Sequence, residues 1–333
     1  MNPKVTIIVP CYNEQATIRL LLDAVLAQSY PRPMMEIVIA DGLSQDKTRA
    51  VIAAFQSEHP DLALRILDNQ QRTIPSALNL AIGAARGGII VRLDAHSIPE
   101  PDYLERCVQD LDAGRGANVG GVWMIRPGAG GWIAEAIAAA ASHPLGVGDA
   151  MYRLAPKAGP VDTVPFGAFR SDLIEKIGGF DETLLSNEDY EFNTRVRQSG
   201  GVVWIDPQIR STYIARATLG ALITQYWRYG FWKLRMLRRY PDTLRWRQAL
   251  PPAFVASLLG LVVLSFFLPL IKFILALEIL CYLAALTMAG IQLALRQRKP
   301  LLIPGLPLAV TAMHLSWGSG FLWSIISKTP KNG

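Results

Sequence analysis

Cysteine, histidine and charge are all scarce in this chain. Its 333 residues include three cysteines and four histidines. Cys11, Cys107 and Cys281 lie far apart, which fits neither a disulfide framework nor a zinc site. A reducing compartment follows for the soluble part. Charged residues make up 18%, against roughly 25% in an ordinary soluble domain. The shortfall is uneven: residues 1–250 look like a soluble α/β protein, while 251–326 hold most of the apolar excess. Met1 to Pro10 lacks the length and the small-residue cleavage site of a signal peptide, so its apolar run reads as a strand.

The net charge of +6 is concentrated just before that apolar tail. Arg210, Arg216, Arg228, Lys233, Arg235, Arg238, Arg239, Arg245 and Arg247 have only Asp242 among them as an acid. A basic cluster beside a membrane segment reads as a cytoplasmic flank in contact with anionic lipid. Nucleic acid is not expected as a partner, because no nucleic-acid module accompanies the patch.

The first part of the chain alternates strand and helix patterns. Val5–Val9, Glu36–Ala40, Leu64–Leu67, Ile89–Leu93 and Val119–Ile125 read as strands. Ala16–Gln28, Asp46–Phe55, Ile74–Ala85 and Pro101–Leu111 lie between them at helical spacing. Repeated strand–helix units imply a mainly parallel sheet with right-handed crossovers. Residues 126–165 are rich in Gly, Ala and Pro, with a helix expected over Ala134–Ser142. His143–Pro165 is expected to be a loop, either a lid or a plain surface connection. Asp172–Ile177 and Glu188–Gln198 read as helices, and Val202–Ile205 as a strand.

In the tail, Ala253–Ile271 carries no charge and Phe273–Leu295 carries only Glu278. Each is long enough to span a bilayer, and Pro269 and Lys272 suggest a tight hairpin between them. Leu301–Ile326 is a third apolar stretch, interrupted by Pro304, Gly305 and Pro307. The positive-inside rule puts Arg235–Arg247 and Arg296–Lys299 on one cytoplasmic face. A third crossing would then send Lys328 and Lys331 outside, a conflict that a re-entrant or kinked segment resolves. Three regions result: a catalytic domain over 1–215, a basic interface segment over 216–250, and a membrane domain over 251–333. Spans are expected near 253–271 and 273–295, with 301–326 a third candidate.

Chemistry concentrates in Asp94-Ala95-His96, at the end of the apolar run Ile89-Ile90-Val91-Arg92-Leu93. Open α/β sheets bind ligands at the C-terminal ends of their strands, and Asp and His both ligate divalent metals. A second acidic point, Glu188-Asp189, opens a helical pattern. A metal site plus a separate carboxylate base points to transfer chemistry on a phosphate-bearing donor. Pro10-Cys11-Tyr12-Asn13-Glu14 follows the first strand, where backbone groups and the Tyr12 ring suit a nucleotide. Asp41 follows the second strand and is placed to accept a hydrogen bond from a base or ribose. Asp46 is expected to cap the next helix.

Together these pieces resemble the inverting family 2 glycosyltransferases of the GT-A fold. The matching segments are Val9–Glu14, Asp41–Thr48, Ala77-Leu78-Asn79, Asp94-Ala95-His96, Ile177–Asp181 and Asn187-Glu188-Asp189. The resemblance covers roughly residues 3–230. The tail and the Asp-Ala-His form of the triplet look most like bacterial exopolysaccharide glucosyltransferases of the succinoglycan type. The implied fold is α/β: a GT-A, Rossmann-like, mixed but mainly parallel sheet with flanking helices, plus C-terminal transmembrane helices.

The resemblance also implies roles. Pro10, Tyr12, Glu14, Asp41, Arg72, Asn79 and Asp94 would bind the nucleotide sugar, with Asp41 facing uracil and Arg72 near the phosphates. Asp94 and His96 would hold Mg²⁺ or Mn²⁺; the usual third residue of the triplet is Asp, so His96 leaves the choice of metal open. Asp189 would be the general base, and Glu188 would orient it or bind acceptor. Gly167, Gln225 and Arg228 would contact acceptor or phosphate. Gln225-Tyr226-Trp227-Arg228-Tyr229 resembles the Gln-x-x-Arg-Trp motif of processive synthases with Tyr229 in place of Trp; it also reads as an amphipathic helix lying at a membrane interface.

The expected activity is transfer of a hexose from a nucleotide sugar, UDP-glucose being the first choice, to a polyprenyl-diphosphate-linked saccharide. The enzyme would sit in the inner membrane with its catalytic domain in the cytoplasm. Two alternatives stay open: a polyprenyl-phosphate sugar synthase, and a non-catalytic scaffold of a polysaccharide export complex.

Overall fold

The computed structural model describes residues 4–154 and 157–327. The question of Lys328 and Lys331 lies outside the described residues. In chain order the elements are β1 (Val5–Cys11), α1 (Ile18–Leu26), β2 (Met35–Asp41), α2 (Thr48–Glu58), β3 (Ala63–Asp68), α3 (Ile74–Ala84) and β4 (Ile89–Arg92). Next come β5 (Ser97–Pro99), α4 (Tyr103–Asp112), β6 (Asn118–Arg126), α5 (Trp132–Ala141), α6 (Pro144–Val147), α7 (Met151–Leu154), β7 (Gly159–Pro160) and β8 (Ala168–Arg170). The chain continues through α8 (Asp172–Ile177), α9 (Glu188–Gln198), β9 (Val203–Ile214), α10 (Leu219–Leu237), α11 (Trp246–Ser265), α12 (Leu270–Gln297) and α13 (Leu302–Ile326).

Among the described residues nine strands form one sheet, in the order β3-β2-β1-β4-β8-β6-β9-β5, with β7 paired to β9. The first four strands in that order run parallel. β8 then pairs antiparallel with both β4 and β6, so the sheet is mixed but mainly parallel on the side the βα units build. Val5, Ile7, Val9, Ile37, Ile39, Ile89 and Val91 belong to the core, covered by Ile18, Leu21, Leu22 and Phe55 of α1 and α2. β-Branched residues dominate because these strands are buried on both faces. The register sets Cys11 beside Asp41 and Ile8 beside Arg92. The loops that leave β1, β2 and β4 therefore emerge along one sheet edge.

The chain divides into two compact units. The first comprises Met1–Met124 and Ala155–Tyr213; the second comprises Ile125–Leu154 and Ile214–Gly333. The second is not simply the C-terminal part of the chain, because Ile125–Leu154 joins it. Its centre is α13, which packs with α5, α10, α11 and α12. Leu306, Ala309, Val310 and Met313 of α13 are fully buried. α5 meets α13 with a face made almost wholly of buried alanines. A Cβ on Gly230 of α10 would fall 2.1 Å from the Trp317 carbonyl oxygen, and one on Gly320 of α13 would fall 2.3 Å from that of Trp227. Two glycines thus let these helix backbones approach closely, as small residues do in helix bundles.

Several sequence expectations change here. The segment 143–165 holds α6, α7 and β7 where a loop was expected, apart from Ala155 and Pro156, which lie outside the described residues. His143 caps α6, accepting from the Leu145 backbone N–H. β9 runs on through Pro207 to Ile214, beyond the expected end at Ile205; pairing with β5 and β7 at its two ends carries the strand across the proline. Within 225–229 the helix is two-sided: Tyr226 of α10 is buried in the second unit, while Trp227 is exposed, so the interfacial reading narrows to Trp227. α11 and α12 are long and apolar enough to cross a membrane, with mean hydropathies of 1.7 and 2.1. The turn between them includes Pro269, at the N-cap of α12.

Candidate active site

The sheet edge carries two groups of functional side chains, both in the first unit. The first group is built by the loops after β1 and β2. Tyr12 is exposed, and a Cβ on Gly42 would meet its ring at 3.2 Å and the Arg72 Cα at 3.5 Å. Tyr12, Gly42 and Arg72 therefore share one small patch. The loops are tied together by hydrogen bonds from Asn13 N–H to Ser44 Oγ (2.8 Å), Gln45 N–H to Asn13 Oδ1 (2.8 Å) and Lys47 N–H to Gln15 Oε1 (3.0 Å). Asn13, Leu43 and Arg72 all adopt positive φ, a conformation costly for non-glycine residues and concentrated at functional sites. The helix starts two residues later than expected, with Lys47 at the N-cap position; Asp46, one residue before it, accepts from the Thr48 N–H at 2.9 Å.

Asp41 is fully buried. Its carboxylate accepts from the Ser44 N–H at 3.0 Å and from Arg49 Nε at 2.5 Å. Arg49 also bridges to Asp68 at the end of β3. Asp41 thus shapes the loop that carries Gly42, while Arg49 and Asp68 are the exposed polar groups of that edge. Pro10 lies within β1, paired with Ala40.

The second group is centred on Arg92. This side chain is 3% exposed and donates to three carboxylates: Asp94 at 3.1 Å, Glu188 at 2.9 Å, and Asp189. Arg92 is the last residue of β4 and Asp94 lies two residues beyond its end, within reach of the guanidinium. Glu188 and Asp189 open α9, where acidic residues also suit the helix dipole. Asn187, just before them, sits in the left-handed region at φ 67°. Burial works against the Arg92 charge, but Asp189, Asp94 and Glu188 outweigh it and drive its pKa up. Burial pushes Asp189 up to about 7; Arg92 opposes this, while Glu188 and Asp94 reinforce it. A carboxylate with that pKa is matched to proton abstraction near neutral pH.

Exposure separates the three acids. The Asp94 and Asp189 side chains are 22% and 28% exposed, whereas Glu188 is 10% exposed. Asp94 and Asp189 can meet a ligand; Glu188 serves chiefly as a buried partner of Arg92.

His96 Nδ1 is hydrogen-bonded to Glu14 Oε1 at 3.0 Å, and Glu14 also accepts from Thr17. A carboxylate that holds one ring nitrogen of a histidine is a usual arrangement behind a metal-ligating imidazole. By donor type Asp94 and His96 could contribute two ligands to a divalent cation whose other ligands come from a diphosphate. Among the described residues no group of three or more His, Cys, Asp or Glu side chains is placed to hold a metal alone.

Other expected site residues take different positions. Asn79 accepts from the Phe180 N–H at 2.7 Å and donates to the Phe180 carbonyl and to Glu182. It holds the Gly-Gly-Phe-Asp-Glu turn, whose Phe180 ring lies 6.0 Å from the Arg92 guanidinium carbon. Gly167 accepts the Arg92 N–H through its carbonyl at 3.0 Å, and a Cβ there would strike Asn118 at 2.3 Å. Gln225 and Arg228 belong to the second unit, where Gln225 donates to the Tyr229 hydroxyl at 3.0 Å.

Arg92 and Arg49 are the residues that sequence reasoning passed over. The signal for Arg92 was present: one cation inside an otherwise apolar strand, two residues before a site carboxylate.

Comparison with known proteins agrees with this geometry. The model of glycosyl transferase family 2 matches residues 6–178. The succinoglycan biosynthesis protein ExoA of Rhizobium meliloti (strain 1021) is 30% identical over 95% of this chain and 93% of its own length. A dolichyl N-acetyl-α-D-glucosaminyl phosphate 3-β-D-2,3-diacetamido-2,3-dideoxy-β-D-glucuronosyltransferase of Methanococcus voltae is 29% identical over 97% of each chain. Among solved structures, a mannosyltransferase of Pyrobaculum calidifontis in complex with GDP-Man and Mn²⁺ aligns with a TM-score of 0.59. It is 23% identical, over 94% of this chain and 88% of its own. That likeness is one of fold. The match to the family model over more than half of this chain, and a relative 30% identical along nearly all of it, show that the chain belongs to glycosyl transferase family 2 and is a glycosyltransferase.

Proposed function

We propose that this glycosyltransferase moves a hexose from UDP-glucose, or a closely related UDP-hexose, to a saccharide linked to a polyprenyl diphosphate, with inversion at the anomeric carbon. The observation that carries the reading is the pair Asp94 and Asp189, two partly open carboxylates bound to one buried arginine. Asp189 takes the proton from the acceptor hydroxyl. The freed oxygen pair attacks the anomeric carbon from the face opposite the diphosphate. The bond from that carbon to the diphosphate oxygen breaks, and UDP leaves with the electron pair. A positioned base of this kind contributes about 10²–10⁴-fold.

Tyr12, Arg72, Pro10 and the loop shaped by Asp41 hold the nucleotide, and Asp94 orients the sugar diphosphate. Asp94 and His96, the latter held by Glu14, would hold Mg²⁺ or Mn²⁺, and such an ion would offset charge on the leaving diphosphate. Asn79 and Gly167 support the site through the turn they hold and the strand they adjoin. Gln225 and Arg228 contact acceptor or phosphate.

α11 and α12 attach the enzyme to the inner membrane, with the catalytic domain in the cytoplasm. Their apolar surfaces and the basic segments Arg235–Arg247 and Arg296–Lys299 support this. Membrane attachment raises the effective concentration of a lipid-held acceptor. The names of two relatives point the same way, one to succinoglycan biosynthesis and one to a dolichyl-linked sugar.

The test is incubation of the purified chain with labelled UDP-glucose and either a polyprenyl-diphosphate-linked saccharide or bare polyprenyl phosphate. Transfer to the saccharide, with an inverted linkage, is expected. Efficient product from bare polyprenyl phosphate would overturn the reading, because an ionised phosphate oxygen needs no base.

A further inference from the structure

We propose that Arg92 is a positioning residue that sets Asp189 for proton transfer and ties it to the donor-side carboxylate Asp94 through one shared guanidinium. The role rests on Asp189 being the base. It adds the device that aims that base.

Arg92 stands in a strand whose other residues, Ile89, Ile90 and Val91, are at most 1% exposed, as is Leu93 after it. A buried guanidinium is tolerated only when it is paired and hydrogen-bonded. Here three carboxylates from two distant segments supply that pairing, Glu188 and Asp189 being 96 and 97 positions away in the chain. Nε and Nη2 converge on Asp94 Oδ1, Nη2 also reaches Glu188 Oε1, and Nη1 meets Asp189 Oδ1. The Phe180 ring lies beside the group. Each acid gives Arg92 one oxygen, and no further side-chain hydrogen bond to these three acids occurs among the described residues. One oxygen of Asp94 and one of Asp189 are thus held, while the second of each is left for a ligand.

This division assigns the third acid as well. Glu188 is the least exposed of the three. It gives the guanidinium a third acceptor and fixes its rotation, so that the fork addresses Asp94 on one side and Asp189 on the other. A planar fork with several donors can do this; an ammonium, a single point charge on a flexible stem, cannot span three acceptors in fixed directions. The angle between donor-side and acceptor-side carboxylates is therefore set by one residue that touches neither substrate.

The test uses Arg92→Lys in the full-length, detergent-solubilised enzyme, with UDP-glucose and a polyprenyl-diphosphate-linked monosaccharide. Binding of UDP in the presence of MnCl₂, read by calorimetry, is expected to weaken by several-fold at most, because Asp94 stays in place after β4 but loses its guanidinium contacts. Turnover is expected to fall about 100-fold, the loss that a misplacement of about 1 Å produces. In an Asp189→Asn background the same change is expected to cost no more than about a further twofold, because both changes act through one group. Turnover of Arg92→Lys near the wild-type level, or its full loss repeated in the Asp189→Asn background, would overturn the role.

Should Arg92→Lys not fold, Glu188→Gln carries the test, since it removes one partner charge and keeps the shape. A several-fold loss that vanishes in the Asp189→Asn background is expected, and unchanged turnover would overturn the role. Failure of the underlying reading looks different: Asp189→Asn alone would remain active. A wild-type enzyme silent with this substrate pair would sink only the choice of substrates. Release of UDP from UDP-glucose by attack of water then serves as the readout for the same cycle.

Discussion

The two units of this chain solve opposite solvation problems. The first unit hides charge: Arg92, Glu188, Asp41 and Glu36 are buried, each with an ionic partner. The second leaves apolar surface open: Phe266, Leu270, Phe273 and Leu295 are 80%, 70%, 73% and 76% exposed. In water the first pattern is affordable only through pairing, and the second is unfavourable at any size. In lipid the second pattern is the stable one. The difference teaches that the first unit keeps a buried ionic cluster, whereas the second keeps an apolar surface of the kind that suits lipid, in line with the proposed membrane attachment.

Four changes break or sharpen that contrast. The largest effect is expected from Asp189→Asn, which keeps the shape and removes the base. Turnover should fall by about 10³-fold, within the range of general-base catalysis, while UDP binding stays nearly intact. Steady-state rates beside calorimetry check it, and normal turnover would remove Asp189 from the mechanism.

In the second unit, Leu277 of α12 is 60% exposed. Leu277→Lys should weaken insertion by up to about 2.5–3.5 kcal/mol, the figure for a charge at a bilayer centre. Flotation of the expressed chain with vesicles should show a smaller membrane fraction, and unchanged flotation would argue that α12 does not span.

Asp94→Ala should weaken metal-dependent donor binding by roughly tenfold or more, as removal of a charge-stabilising contact does. Titration with UDP-glucose, with and without MnCl₂, measures this; equal affinity in the presence of metal would take Asp94 out of the site. The smallest effect is one of pH. Asp189 must be deprotonated to act, and its pKa is pushed up to about 7. Below that value kcat/KM should fall about tenfold per pH unit, and above it should level off. A profile flat between pH 5.5 and 8 would contradict the assignment.

Legibility in the sequence followed the range of the interactions. Local patterns were readable: β-branched runs for β1, β2 and β4, helical spacing for α1 and α3, and the turn at Pro269 between two apolar helices. The short strands β5, β7 and β8 were not readable, since strands of two or three residues exist only through their partners. β9 was read too short for a related reason: Pro207 disfavours a strand locally, and pairing at its two ends overrides it. Ile125–Leu154 looked like part of the catalytic domain, because nothing in an alanine-rich helix announces that its partner is α13.

The residue types and their order determined the family, the mainly parallel sheet, the acidic points at Asp94 and Glu188-Asp189, and the two apolar helices. These are consequences of periodicity and of motifs a few residues long. Tertiary structure decided what those acids do to each other. It alone brought Asp94 and Asp189 to one guanidinium, buried Asp41 behind Arg49, gave His96 to Glu14, and tied Asn79 to the turn at Phe180. The physical reason is that charge interactions depend on distance and on the dielectric between groups. Both are properties of the folded chain, and sequence spacing does not carry them.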